Sequence, residues 1–173
     1  MDGTATDGSV LARWRRLSRH AFGRWLFARA VCYRAPYFAT IAPRFLELRP
    51  GLCRVSMAKR RRVENHIATV HALAMGNLVE LAAGMVTEVT VPAAMRWIPR
   101  GMTIEYLKKA TTGVTATARL DKADWQGPEN TGVLVAVHDA RGVEVVRAVV
   151  TMYVSPRASR RSGGGAAAAP HQA

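Results

Sequence analysis

The stretch from Val63 to Val91 constrains the fold most, because its apolar residues do not keep to one side. Between His71 and Val89 it has the length and composition of one helix. Apolar side chains occupy nearly every face of that helix: Ala72, Leu73, Ala74, Met75, Leu78, Val79, Leu81, Ala82, Ala83, Met85 and Val86. Such a helix is stable only when other elements enclose it. Asn77 and Glu80 make it too polar, and it is too short, for a typical membrane span.

Glu80 lies in the middle of this enclosed helix. A buried carboxylate costs free energy unless it is paired, hydrogen-bonded or neutralised. Carboxylates in such surroundings are therefore candidates for function, and Glu80 is our first candidate for a catalytic residue. On residue type alone, the alternative is a carboxylate that reaches solvent at a subunit edge or bonds a nearby backbone group.

The charge of the chain predicts an anionic partner. The formal net charge is +13, mostly from arginine, and nucleic acid, anionic lipid or a phosphate-bearing cofactor would each satisfy it. Nucleic acid is the least favoured, because no nucleic-acid-binding motif is recognisable. Cys32 and Cys53 are too few for a disulfide framework. With no metal-ligand spacing and no signal peptide, we expect a metal-free cytoplasmic protein that can associate peripherally with a membrane.

The N-terminal segment has the pattern of a basic amphipathic helix. Residues 1–8 are expected to be disordered, and a helix is predicted from Ser9 to about Tyr33. Its apolar face carries Val10, Leu11, Trp14, Leu17, Ala21 and Trp25, with Phe22 at the margin; its basic face carries Arg13, Arg15, Arg16, Arg19, His20 and Arg24. We favour a helix that packs on its own domain. Docking on an anionic membrane surface is the alternative.

Alternating apolar and polar residues predict strands on both sides of the enclosed helix. Before it, Phe45–Leu48 and Leu52–Met57 flank a turn and form a β-hairpin. After it, four segments have strand character, roughly Met95–Leu107, Val114–Asp121, Gly132–His138 and Val143–Tyr153. A turn at residues 139–142 joins the last two. The tail beyond Ser155 is expected to be disordered.

The order of these elements predicts the fold class. A strand pair, one long enclosed helix and several antiparallel strands make an α+β domain. A sheet of about six strands covers such a helix only when it curls around it, and this arrangement is the hotdog fold. We therefore predict a hotdog domain at residues 43–154, after an N-terminal segment at residues 1–42 and before a tail at residues 155–173.

Residues around the central helix resemble those of hotdog thioesterases of the PaaI-like kind. Asn65, His71 and Glu80 stand at spacings of six and nine, similar to the Asn…Gly-x-x-His-Gly-Gly…Asp stretch of that family. Most of residues 34–154 resembles more closely some bacterial hotdog proteins known only as a domain of unknown function. That resemblance rests on N-H-I-A-T-V-H-A, on M-R-W-I-P-R-G-M-T (Met95–Thr103) and on E-Y-L-K-K-A (Glu105–Ala110).

The resemblance implies a hydrolase that acts on an acyl thioester of coenzyme A or of an acyl carrier protein, with no separate cofactor. Glu80 stands where the family keeps its catalytic carboxylate, a nucleophile or a general base on water. Asn65 stands where the family orients that water or the thioester, and His71 lies near the thioester carbonyl. The family's site lies between two subunits, which implies a homodimer or a dimer of dimers. Glu80 of one chain would then face Asn65 and His71 of the other.

Physical chemistry agrees with these placements. The start of an enclosed helix offers free N–H groups and a positive dipole end, which suit a developing oxyanion. Ala72 and Leu73 would supply the N–H donors. Glu80 lies about 13 Å farther along the same helix, too far to serve the same carbonyl, so a second subunit is required. Asn77, one turn before Glu80, is placed to hydrogen-bond that carboxylate in a supporting role.

Two basic groups are candidates for binding the phosphates of coenzyme A or of a phosphopantetheine arm. They consist of Arg60, Arg61, Arg62, Lys108 and Lys109. The alternative is an ordinary solvated surface. For Asn65 and His66, the corresponding alternative is a structural role, in which they cap the helix and bond a loop.

The chain departs from the thioesterase motif at two places. Ala72-Leu73 replaces Gly-Gly, so a substrate approaches the helix start less closely, and Glu80 replaces Asp, which moves the carboxylate by one methylene. These differences keep open a second function, a non-catalytic module that binds acyl thioesters or lipids. A third candidate is a membrane-surface adaptor that works through the basic N-terminal helix.

Overall fold

A computed structural model describes residues 9–157 of the chain. Three helices are present in this range: α1 Ser9–Leu17, α2 Ala21–Arg34 and α3 Ala72–Thr90. Six strands accompany them: β1 Arg44–Arg49, β2 Leu52–Met57, β3 Met95–Tyr106, β4 Val114–Arg119, β5 Glu129–Asp139 and β6 Glu144–Pro156. Short 3-10 helices occupy Pro36–Ile41 and Arg61–Val63. Both segments that we expect to be disordered, residues 1–8 and the tail, lie outside the described residues, apart from the end of β6 and Arg157.

The strands form one antiparallel sheet that curls around α3. Their order is β1-β2-β4-β5-β6-β3, and every neighbouring pair is antiparallel. Helix α3 contacts all six strands. The hotdog fold predicted from the sequence is therefore confirmed, with β1 at one end of the strand order and β3 at the other.

Helix α3 begins and ends close to the residues that the sequence indicates. His71 caps its first turn by accepting the Leu73 N–H on its ring Nδ1, and Pro92 follows its end. At most 1% of the residue surface is exposed at seven interior positions: Leu78, Val79, Leu81, Ala82, Ala83, Val86 and Val89. By length and composition α3 could cross a membrane, contrary to the expectation from its sequence, but 67% of its most apolar window is buried inside the fold. It is therefore the core helix of the domain.

The predicted single helix from Ser9 to about Tyr33 is wrong. The chain breaks at residues 18–20 into α1 and α2. The reason for the break lies at Gly23, where an added Cβ would stand only 1.9 Å from the backbone oxygen of Leu17. Glycine thus allows the start of α2 to pack closely against the end of α1.

The break also changes which aromatic side chains face inwards. Trp14 of α1 is buried against Phe27 of α2 and Phe45 of β1, with ring centroids 5.1 Å and 6.2 Å away. These rings attach both helices to the β1 end of the sheet. Phe22 and Trp25, which the single helix would have placed on or beside its apolar face, are 71% and 56% exposed instead.

Replacement of Gly23 by alanine tests the packing between α1 and α2. The new methyl group would overlap a backbone oxygen, so we expect Gly23→Ala to lower the free energy of unfolding by about 1–3 kcal/mol. Gly132→Ala on β5 is the matched control, because a Cβ there meets only the end of the Val149 side chain, at 3.4 Å. Chemical denaturation measures both variants. An unchanged midpoint for Gly23→Ala would contradict the packing account.

Candidate active site

The start of α3 is held by a closed loop that contains Asn65 and ends at His71. The backbone N–H of His71 donates to the carbonyl of Val63 at 2.8 Å, so the chain returns on itself between these residues. The N–H of Val70 donates to the carbonyl of Ala110 at 2.9 Å. This second bond fixes the loop beside the segment that follows β3.

Asn65 organises this loop with its side chain. Its Oδ1 accepts the N–H groups of Ile67 at 3.2 Å and Thr69 at 3.0 Å, and its Nδ2 donates to Thr69 Oγ1 at 2.9 Å. These bonds support the backbone around Ala68, which has a positive φ of 58°. Within a single chain, Asn65 therefore has a structural role in which it bonds its own loop. This role is the alternative to catalysis that its sequence position allows. Its second Nδ2 proton has no partner within residues 9–157 and can still donate.

His71 has a defined ring orientation. Its Nδ1 accepts the backbone N–H of Leu73 at 3.1 Å, so the proton of the neutral ring lies on Nε2. His71 is exposed, and this Nε2–H is therefore available to a ligand. The same bond occupies the Leu73 amide, which does not present the free N–H predicted for it. The Ala72 N–H has no partner among the described residues, so one of the two predicted oxyanion donors remains.

Glu80 is half-buried on the face of α3 that meets β3. Residues four positions away on each side are Gly76 and Gly84, and an added Cβ there would contact Ile104 at 3.4 Å and Trp97 at 3.2 Å. The glycines thus allow side chains of β3 to close on the helix beside Glu80. No hydrogen bond or ion pair to Glu80 is found within residues 9–157.

The last residue of β3 touches the start of α3. The hydroxyl of Tyr106 donates to the carbonyl of Ala72 at 3.3 Å. A molecule that lies along β3 would therefore reach the first turn of the helix. The candidate donors at that turn and the Glu80 carboxylate both lie beside β3. They are separated from each other along the axis of α3.

Asn77 does not support Glu80 as predicted. It is 6% exposed, and its Nδ2 donates to Thr40 Oγ1 at 3.1 Å and to the Tyr37 carbonyl at 3.4 Å. Both acceptors belong to the Pro36–Ile41 3-10 helix, which the sequence did not predict. The Oδ1 of Asn77 is buried and has no partner among the described residues.

A cleft of about 200 Å³ lies between this 3-10 helix and the start of α3. Its lining includes Tyr37, Thr40, Arg62, His71, Leu73 and Asn77. A polar residue within an apolar helix was the one sequence signal for this cleft, and its spacing from Glu80 suggested a different partner.

The two basic groups both lie at the loop that precedes α3. Arg61 and Arg62 start the short 3-10 helix that leads into it, and Arg62 lines the cleft. Arg60 donates to the Thr40 carbonyl at 3.2 Å. Lys108 and Lys109 are exposed immediately before Ala110, which bonds the loop. None of the five side chains forms an ion pair within residues 9–157, so all five charges are available to an anion.

Solved structures show the same fold. A structural-genomics protein designated APC5556 is 46% identical, with a TM-score of 0.76 over 86% of this chain and 98% of that one. A Pseudomonas aeruginosa protein of unknown function, called a probable thioesterase, is 23% identical, with a TM-score of 0.67 over 75% of this chain and 94% of that one. A Haemophilus influenzae thioesterase is 10% identical, with a TM-score of 0.66 over 76% and 90%.

Sequence comparison assigns the family but not the activity. No curated protein matches the chain. The family model of a domain of unknown function, DUF4442, matches residues 23–154. This range contains the whole loop and helix that carry Asn65, His71 and Glu80, and nearly all of the sheet. The chain therefore belongs to the DUF4442 family of hotdog-fold proteins.

Proposed function

We propose that this protein hydrolyses acyl thioesters of coenzyme A or of an acyl carrier protein, at a site that a second copy of the chain completes. One observation carries the proposal: a half-buried carboxylate, Glu80, has no partner within the described residues and faces the edge strand of a hotdog sheet. The names of two neighbours with the same fold, a probable thioesterase from Pseudomonas aeruginosa and a thioesterase from Haemophilus influenzae, support the reaction class.

The surroundings of Glu80 suit a general base. A carboxylate that no arginine or lysine pairs with is free to accept a proton from water. Glu80 is only half-buried, so water can reach its carboxylate. Trp97 contacts this face and donates its ring N–H to Glu88 at 2.8 Å, not to Glu80. The carboxylate of Glu80 is therefore available to act as a base, whereas the carboxylate of Glu88 already accepts a hydrogen bond from Trp97.

The proposed seam between two copies runs along β3. All twelve residues of β3 are at least partly exposed, including Ile98, Met102 and Tyr106. A long edge strand with free backbone groups and exposed apolar side chains is a template for pairing with another chain. A second copy paired along β3 would cover these side chains. It would also bring its own helix start towards Glu80, which the distance along α3 requires.

The reaction would proceed by attack of water on the thioester carbonyl. Glu80 takes a proton from the water as its oxygen forms a bond to the carbonyl carbon. The developing oxyanion is stabilised by the Ala72 N–H and the His71 Nε2–H at the start of the partner's helix. The carbon–sulfur bond then breaks, and the thiol leaves with the proton that Glu80 returns. Arg60, Arg61, Arg62, Lys108 and Lys109 would bind the phosphates of the carrier arm.

A specific observation favours the second candidate, a module that binds acyl thioesters without hydrolysing them. Leu73 occupies the place of a family glycine, and its amide is bonded to His71. One donor for the oxyanion is therefore lost compared with two free amides, a loss that can cost a catalyst about a hundredfold or more. Measurements of binding and of turnover on the same protein separate the two functions.

Substitution of the proposed base is the direct test of hydrolysis. Glu80→Gln keeps the size of the side chain but removes its ability to accept a proton. We expect it to lower kcat/KM by about a hundredfold or more, measured as thiol release from a panel of acyl-coenzyme A substrates. Glu88→Gln is the matched control on the same helix. It can still accept the Trp97 N–H and should retain activity.

Two outcomes would contradict the hydrolase proposal. Equal thiol release by the native protein and Glu80→Gln would remove Glu80 from the mechanism. Tight acyl-coenzyme A binding by calorimetry, with no release from any chain length, would select the non-catalytic module instead.

Substitution within β3 tests the proposed seam. An aspartate in place of Ile98 would put a charge among apolar side chains that the second copy covers. We therefore expect Ile98→Asp to convert a dimer into a monomer and to abolish thiol release. Leu134→Asp is the control, because Leu134 is 61% exposed on β5, away from the seam. Analytical ultracentrifugation measures the mass. A native monomer, or an Ile98→Asp dimer, would contradict the seam.

A further inference from the structure

Helix α2 presents an apolar stripe to solvent. Four large side chains are exposed on it: Phe22 at 71%, Trp25 at 56%, Leu26 at 42% and Tyr33 at 91%. Projected at about 100° per residue, the four side chains lie within an arc of about 100° on one side of the helix. Phe22 and Trp25 stack on each other, with ring centroids 5.5 Å apart and planes at 25°. An exposed cluster of this size on a soluble domain indicates a binding surface.

The stripe is held rigidly outwards by the opposite face of the same helix. Phe27, Ala28 and Cys32 of that face are buried, and Phe27 packs between the rings of Trp14 and Phe45. Rotation of α2 to hide the stripe would expose this second apolar face. The exposure of the stripe is therefore built into the packing of the domain.

The N-terminal segment that carries the stripe is basic, and its arginines are exposed or half-buried. Residues 9–43 contain seven arginines and neither aspartate nor glutamate. Arg29 lies within the stripe, and Arg34 ends the helix. None of the seven arginines forms an ion pair within the described residues. An apolar face with unpaired arginines around it is complementary to anionic headgroups above acyl chains, and Trp and Tyr favour that boundary.

The stripe does not coincide with the proposed seam between two copies. Helix α2 packs on β1, whereas the seam runs along β3 at the opposite end of the strand order. Pairing along β3 would leave the stripe uncovered. We therefore expect the stripe on α2 and the seam along β3 to bind different partners.

We propose that the outward stripe of α2 docks on a bilayer containing anionic phospholipid. The helix lies in the plane of the interface, with Phe22, Trp25, Leu26 and Tyr33 inserted at the acyl boundary and the arginines at the headgroups. This surface shares Trp25 and Phe22 with the apolar face predicted from the sequence, but Trp14 of that face is buried and takes no part in it. The proposal is independent of whether the domain hydrolyses thioesters.

Vesicle binding by the full chain tests the proposal. The chain is sedimented with phosphatidylcholine vesicles, and with vesicles that also contain phosphatidylserine. We expect binding to the anionic vesicles that is about tenfold or more tighter and that weakens as salt is added. The fluorescence of Trp25 should be quenched by lipids brominated on their acyl chains, and Trp25→Phe should remove most of that quenching.

A triple variant separates insertion of the stripe from a general attraction of the basic chain to acidic vesicles. Phe22→Ser, Trp25→Ser and Tyr33→Ser together leave the net charge unchanged and alter only exposed positions. We expect binding to fall about tenfold or more. The matched control is Leu134→Ser with Val149→Ser, two exposed apolar residues paired on β5 and β6, which should bind as the native chain does.

Three results would overturn the proposal. The first is native binding by the triple variant, with its fold confirmed by circular dichroism. The second is equal binding to neutral and anionic vesicles, or none to either. The third is a native protein that does not bind vesicles but forms an oligomer that dissociates when the stripe is substituted. The stripe would then be an interface between two copies of the chain.

Discussion

Enclosure of one all-round apolar helix is the constraint on which the rest of this structure depends. Because α3 is apolar on nearly every side, a flat sheet would leave much of it in water, and the sheet must curl to cover it. The six strands touch α3 along its length, and its interior positions are almost fully buried. The curled sheet still has two ends. At the β1 end, α2 is packed by a cluster of aromatic rings, whereas the β3 end is open.

The open end explains where function can reside. Glu80 is half-buried because it points to the side of α3 that β3 borders, where the sheet does not continue. A carboxylate elsewhere on the helix would meet apolar side chains and would need a partner. The same strand ends against the first turn of α3 through the bond between Tyr106 and Ala72. A second copy at this edge would hydrogen-bond the free backbone groups of β3. It would also bring its own helix start, with His71, towards Glu80.

The regular elements could be predicted from the sequence because their periodicities agree with their burial. The hairpin around Gly51, which has the positive φ of 79° that its turn requires, and the four later strands lie close to the predicted positions. The break between α1 and α2 could not be predicted. It depends on a close approach between Gly23 and the Leu17 backbone, a tertiary contact that leaves no trace in helical periodicity. For the same reason, Phe22 and Trp25 were assigned to or beside the packed face, although both are exposed.

In the candidate site, too, the identity of the residues could be predicted from the sequence, whereas their tertiary contacts could not. Asn65, His71 and Glu80 could be selected from their spacing and from the family resemblance, and those choices remain a proposal. Their hydrogen bonds could not be foreseen, because Asn65 and His71 bond residues of their own loop, as short polar side chains often do. Asn77 was assigned to Glu80 by its position one turn away. Its partners belong to a 3-10 helix that has no strong sequence pattern.

The central claim is that each active site contains Glu80 of one copy and His71 of the other. Mixing two inactive variants tests it most directly. One is Glu80→Gln; the other is His71→Asn, which keeps a side chain able to cap the helix. After the subunits exchange, half of the dimers contain both variants, and one of the two sites in each is native. The account predicts recovery of about one quarter of native thiol release; no recovery after verified exchange would contradict it.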